Sequence, residues 1–305
     1  LARLLKVLQR RLVFALVVVG GLAIWLPTPG RFLDHGWVID ATLAVLVFTA
    51  GLSVEVSNIS KARSLGARMV IALVVSSVLL LALSWSLSHL VVGSQRDGVL
   101  ALGVAPGEVA TIAFVGLAAG DVAIAAVMVF GSTLVTLVLA GPLLGLMTAG
   151  HAVVHPLGLA VNLAVVVVVP LILGVVVGHR GVGQREGLRE LGELVGLLTL
   201  LVLMVEVASE LHLGAADLIG LFVVLVFAIG SLLVGMVVSL GMPIAQRAGV
   251  LLPAGIRDFA IAAGIATAAF GPSTIGLLGI YGLLALILGA IVTRLIAPGA
   301  SSASA

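Results

Sequence analysis

Long apolar runs broken by short polar stretches organise this chain, and their length gives the first reading. A helix needs roughly 20 apolar residues to cross the hydrocarbon core of a bilayer. Runs of that order occupy 12–28, 37–54, 69–92, 98–119, 122–148, 156–178, 190–208, 217–240, 246–270 and 273–294. The pattern predicts an all-α polytopic membrane protein with ten transmembrane helices. Composition agrees: 62% of the 305 residues are hydrophobic, 9% are charged, and the mean hydropathy is +1.36. A soluble domain carries about a quarter charged residues, so lipid is the solvent expected for most of this surface.

Charge changes the picture by its placement. A sequence pI near 9.7 accompanies a net charge of only +2, and no basic tract reads as a nucleic-acid footprint. With a cytoplasmic N-terminus, that side receives Arg3, Lys6, Arg10, Arg11, Lys61, Arg63, Arg68, Arg180, Arg185, Arg189, Arg247 and Arg294, and the other side receives Arg31 and Arg96. Such an excess follows the positive-inside rule. It supports an even number of spans, both termini cytoplasmic, and a multi-pass protein of the cell (inner) membrane. The opening LARLLKVLQRR and the apolar run after it have a signal-peptide order without a small-residue cleavage site, so they read as a retained first span. The Leu start points to processing, trimming or an unusual start codon. The chain has no cysteine, which removes disulfides, thiolate metal sites and cysteine nucleophiles.

Two spans break the pattern in the same way. Span four reads GVLALGVAPGEVATIAFVGLAAGD and span nine RAGVLLPAGIRDFAIAAGIATAAFGP. Each runs apolar, meets Pro with Gly (Pro106 and Gly107; Pro253 and Gly255), places charge within a few residues, and resumes as an Ala/Gly-rich helix. They are the fourth spans of two five-span halves. Five is odd, so the halves would be inverted in the membrane, and paired interrupted helices point to a secondary transporter of inverted repeats. The division expected is 1–150, 151–295, and a disordered tail at 296–305.

A break frees backbone groups that lipid cannot satisfy, so protein or a water-filled cavity must do so. Glu108, Arg257 and Asp258 lie at these breaks, where an ionisable side chain costs roughly 2.5–3.5 kcal/mol on insertion scales. They are expected to face an interior cavity and to pair with one another. They serve as a binding site, as an ion pair pinning the helices where they cross, or as both.

At these residues the chain resembles the bile acid:sodium symporter family. The similarity is carried by GVAPGEVATIAFVGLAAGDVAIAAVMVFGSTLVTLVLAGPLLGLMTAG, by PAGIRDFAIAAGIATAAF, and more weakly by FTAGLSVEVSNI and VVVVVPLILGVVVGHR. The resemblance implies ten helices in two inverted five-helix repeats, with spans four and nine crossing at mid-membrane. It also implies a core domain of spans three to five and eight to ten, and a panel of spans one, two, six and seven. Family members move bile acids and other organic anions, usually with sodium. Alignment places the family's sodium ligands at Thr111 and Ile112, near Ala125 and Val129, at Pro253, at Arg257 and near Ser76. Of these side-chain donors Thr111 alone is a convincing match, Ser76 standing only near a family glutamine, and a guanidinium stands where a cation's ligand would be. The expectation is a carrier of a small organic anion without the family's usual sodium coupling. Arg257 would replace the bound cation, Glu108 and Asp258 would balance it, and a proton is a possible coupling ion. No cofactor or metal is expected.

Other polar residues are weighed individually. Asp121 reads as a helix N-cap before a gate. Ser132 and Thr133 match a family element and pack in the core or line the substrate path. Glu206 lines the cavity or joins Glu210, His212 and Asp217 at the interface, and Asp40 is placed similarly. Asn162 and Thr49 face the cavity or make interhelical contacts, and the histidines near span ends lack metal-ligand spacing. A metalloid (arsenite-type) efflux carrier, sharing an RDFAIA-like ninth span, lacks its cysteine here. A channel and an intramembrane hydrolase on Glu108 and Asp258 are further alternatives, though the hydrolase leaves the inverted halves unexplained. No enzyme activity is expected, and the oligomeric state is open.

Overall fold

The computed structural model describes residues 12–25, 36–52, 66–148, 156–179, 186–209 and 217–302. Helices α1 (Leu12–Trp25), α2 (Gly36–Leu52) and α3 (Gly66–Ser88) come first. The pair α4 (Ser94–Val104) and α5 (Thr111–Leu117) forms one interrupted stretch and leads into α6 (Val122–Met147). Next come α7 (Pro156–Leu163), α8 (Val169–His179), α9 (Glu186–Ser209) and α10 (Asp217–Val238). A second interrupted stretch, α11 (Ile244–Gly255) and α12 (Phe259–Phe270), precedes α13 (Gly276–Ser302).

Among the described residues there is no sheet, and five helical segments are long and apolar enough to cross a bilayer: α3, α6, the α7–α8 stretch, α10 and the first part of α13. Their faces are sorted as a membrane requires. On α10, Leu218, Phe222, Leu225, Ile229, Leu233 and Met236 form an exposed stripe, while Val223, Val224, Phe227 and Ala228 are buried. On α3, Val70, Val74 and Val78 face outward and Ala72, Ser76 and Leu80 inward. Apolar surface this continuous is foreign to a water-soluble monomer and is the lipid face of a multi-pass membrane protein.

Packing places α12 at the centre. Phe259 through Ala266 are all buried, and α12 touches α2, α4, α7 and α13. Helix α2 packs most extensively on α8 and α9, and α9 packs on α1; α3 packs on α4 and α10, and α11 on α6 and α10. The α2–α8 contact is backbone on backbone. A Cβ on Gly51 would lie 2.6 Å from the Leu171 carbonyl oxygen and 3.1 Å from the Gly174 Cα. Without a hydrophobic drive between helices in lipid, such small residues let dispersion contacts form.

The run 156–178 is one continuous helical stretch long enough to span, with a π-turn at Ala164–Val168 in which the Val169 amide reaches the Ala164 carbonyl. Pro170 follows at once and has no amide to continue the ladder. The tail expected to be disordered from 296 is helical to Ser302, since extending an established helix costs little compared with nucleating one. Residues 303–305, and Arg3, Lys6, Arg10, Arg11, Arg31, Lys61, Arg63, Arg180 and Arg185, which contribute to the expected orientation, lie outside the described residues.

Candidate functional site

The first break follows from local chemistry. A residue before proline is pushed out of the α region, and Ala105, preceding Pro106, is extended at φ −64°, ψ 151°. Helix α4 therefore ends at Val104, whose carbonyl accepts the Thr136 hydroxyl of α6 at 2.8 Å. The second break has a different cause. Pro253 lies inside α11, and the Ile256 amide still reaches the Leu252 carbonyl at 3.0 Å, so the helix closes past the proline to Gly255. Interruption comes instead from Ile256, extended at φ −124°, ψ 120°, and from Asp258, whose carboxylate accepts the Ile261 amide at 2.9 Å and starts α12. The expectation that Pro253 makes the break is thus corrected: a late-helix proline loses its own donor only, and the extended pairing ends the helix.

The two breaks satisfy each other. Gly107 and Arg257 form an isolated antiparallel bridge. The Glu108 amide donates to the Ile256 carbonyl and the Asp258 amide to the Pro106 carbonyl, both at 2.9 Å. This pairing equates Gly107 with Arg257 and Glu108 with Asp258, a local two-fold relation that alignment on the prolines misses. It extends to the supporting helices. The Gly107 amide donates to Ser132 Oγ on α6 at 2.9 Å, and the Arg257 amide to the Tyr281 hydroxyl on α13 at 2.8 Å. Ser231 on α10 donates to the Gly255 carbonyl at 2.7 Å.

The side chains occupy this frame unequally. Glu108, Arg257 and Asp258 are all buried, at 4%, 2% and 2% exposure. Glu108 Oε1 accepts the Ala110 amide at 3.2 Å, whereas Oε2 has no partner. The Phe259 amide faces Glu108, and the Val109 amide faces Asp258, from across the bridge. Arg257 Nε is buried without a hydrogen-bond partner, and among the described residues the guanidinium forms no ion pair. Pairing of Arg257 with the two carboxylates, as expected from sequence, is therefore not found. Each carboxylate is held by the helix start that follows it, which keeps it from the guanidinium. A buried charge left this way is costly, and it offers a charged group to a ligand.

The remaining candidates fall into place around the bridge or away from it. Thr111 is buried, and its hydroxyl donates to the Glu108 carbonyl. Thr133 donates to the Val129 carbonyl and, with Thr136, Leu163, Val167 and Ile261, borders a void of about 10 Å³. Ser76 donates to its own helix at Leu73 and makes no hydrogen bond to either break. Glu206 lies on α9, with its side chain outside the described residues. Asp121 caps α6, accepting the Ala123 and Ile124 amides at 3.0 and 3.2 Å, and its own amide donates to the Ala245 carbonyl. Asp121→Ala should lower stability by about 1 kcal/mol without affecting ligand binding, read as a melting shift that is equal with and without ligand.

Tyr281, Ser231 and Thr136 were not singled out in the sequence. The signal available was a lone polar residue in an apolar helix; Tyr281 is the chain's only tyrosine. What such a residue serves depends on helices that only folding brings together.

The family model described as Sodium Bile acid symporter family matches residues 41–215, more than half of the chain and inclusive of the first break. No curated protein matches the chain. The second break lies beyond the matched stretch and is tied to the first by the bridge. On the span of that match and the membrane architecture, the chain belongs to the sodium bile acid symporter family, and it is a membrane transporter and not an enzyme.

Proposed function

We propose that this transporter carries a small organic anion by alternating access, with Arg257 in place of the cation that sodium-coupled relatives bind. The observation that carries the reading is a buried Arg257 whose Nε has no hydrogen-bond partner and whose guanidinium forms no ion pair among the described residues, set where two helix breaks pair. A guanidinium keeps its charge and presents a planar donor fork that suits carboxylates and sulfonates. The sodium positions argue the same way. Ala125, Val129 and Pro253 offer no side-chain oxygen, whereas a hard cation needs about six ligands. Glu108, with its unpartnered oxygen, is the group through which a proton would couple to transport.

The architecture assigned with this function is two inverted five-helix repeats, 1–150 and 151–295, crossing at their breaks. Helices α3 to α6 and α10 to α13 would form the core, and α1, α2 and α7 to α9 the panel. The two-fold relation of Glu108 to Asp258 supports it. Both termini are placed in the cytoplasm of a cell bounded by this inner membrane, with Arg68, Arg247 and Arg294 on that side.

The test is uptake of labelled organic acids into proteoliposomes, with sodium replaced by potassium at constant ionic strength. Saturable uptake should persist with its rate changed less than about twofold, because the charge that sodium would supply is already covalently present. Uptake abolished by removing sodium would sink the proposal.

A further inference from the structure

Away from the breaks, polar groups among the described residues gather where α2, α7 and α12 meet. Asp40, in the second turn of α2, and Asn162, on α7, bring their polar side chains together. With Gly158, Leu159, Thr267 and Ala268 they line a cavity of about 320 Å³. Thr267 Oγ1 is buried without a hydrogen-bond partner. Both Thr267 and Ala268 belong to the final turn of α12, where the last carbonyls of a helix carry partial negative charge. No Lys or Arg is among the lining residues.

We infer that this cavity binds a compact monovalent cationic centre, an alkali ion or the ammonium group of a small solute, through Asp40, Asn162 and Thr267. An amide that donates its NH2 to a carboxylate keeps its carbonyl oxygen free to accept. Together with the carboxylate and the threonine hydroxyl it supplies three oxygen acceptors, one of them charged. An anion would be repelled by Asp40. A purely apolar ligand would cover the carboxylate and the hydroxyl without pairing them, which is costly. The site lies on three helices, α2, α7 and α12, so occupancy ties them together. It is separate from the paired breaks and does not rest on the identity of the transported solute.

The full-length protein, purified in detergent, is melted in NaCl, KCl, methylammonium chloride and choline chloride at constant ionic strength. At least one of the first three should raise the melting temperature saturably by about 3 °C or more over choline. A response to sodium or potassium marks an ion site, and a response to methylammonium alone marks a solute amine. Asp40→Asn should raise the half-saturating concentration at least about tenfold, and the shape-preserving Thr267→Val by a smaller factor. Glu108→Gln should leave it unchanged. Identical melting in all four salts overturns the inference, as does an unaltered response in Thr267→Val together with Asp40→Asn. Loss of the response in Glu108→Gln also overturns it, because that places the cation at the breaks.

Discussion

Arg257→Gln should weaken organic-acid binding by about ten- to a hundredfold, the range set by losing a charge-assisted hydrogen bond of about 1.5–3 kcal/mol. The measurement is ligand-dependent melting of the purified protein against a series of carboxylates and sulfonates. Glutamine preserves much of the volume and some hydrogen-bonding capacity, so the loss would report the charge. The substitution has a second effect with a different origin. Glu108 and Asp258 are both buried beside the bridge and close enough to interact electrostatically. The guanidinium is paired with neither of them among the described residues, so its removal takes away an uncompensated buried charge, and stability should hold or rise slightly while binding falls. Adding Glu108→Gln should leave the loss of binding in place. Organic-acid stabilisation that survives Arg257→Gln unchanged would refute the role assigned to this residue.

Gly107→Ala should be among the most destabilising single-methyl additions in the chain. A Cβ there would lie 2.5 Å from the Pro253 carbonyl oxygen, 3.3 Å from its carbonyl carbon and 3.5 Å from its Cα. These are backbone atoms of a buried segment, so no side chain can turn aside. Relief requires the two breaks to separate, which weakens the Glu108–Ile256 and Asp258–Pro106 bonds and the Gly107–Ser132 bond together. Overpacking and exposed backbone groups then combine to about 3 kcal/mol or more. Gly145→Ala is the control. A Cβ at Gly145, in the last turn of α6, meets nothing within 4 Å, and replacing this glycine by alanine should stabilise by at most about 0.5 kcal/mol. Equal melting temperatures for the two variants would mean that the breaks are not held as closely as described.

Much of this was legible in the residues because lipid imposes a simple rule. The ends of α6 and α10 fall within a few residues of where the hydrophobic runs begin and stop, since span length is set by bilayer thickness. Asp121 was readable as a cap because an N-cap bonds amides two and three residues ahead, entirely within local sequence. Pro106 stops a helix for an equally local steric reason. Pro253 misled because the same residue type, placed late in a helix, does not stop it.

A multi-pass helical protein and the concentration of buried charge at Glu108, Arg257 and Asp258 could thus be read from the residues alone. Which residues correspond across the two breaks, which hydroxyls serve them, and the lack of an ion pair at Arg257 among the described residues emerge from the packed helices alone. The difference is one of range. Hydrophobic length, capping and proline sterics act within a few residues of chain, whereas the hydrogen bonds of a broken helix are completed by partners about 25 or 150 residues away. Orientation and reach fix those partners, and neither exists until the helices have packed.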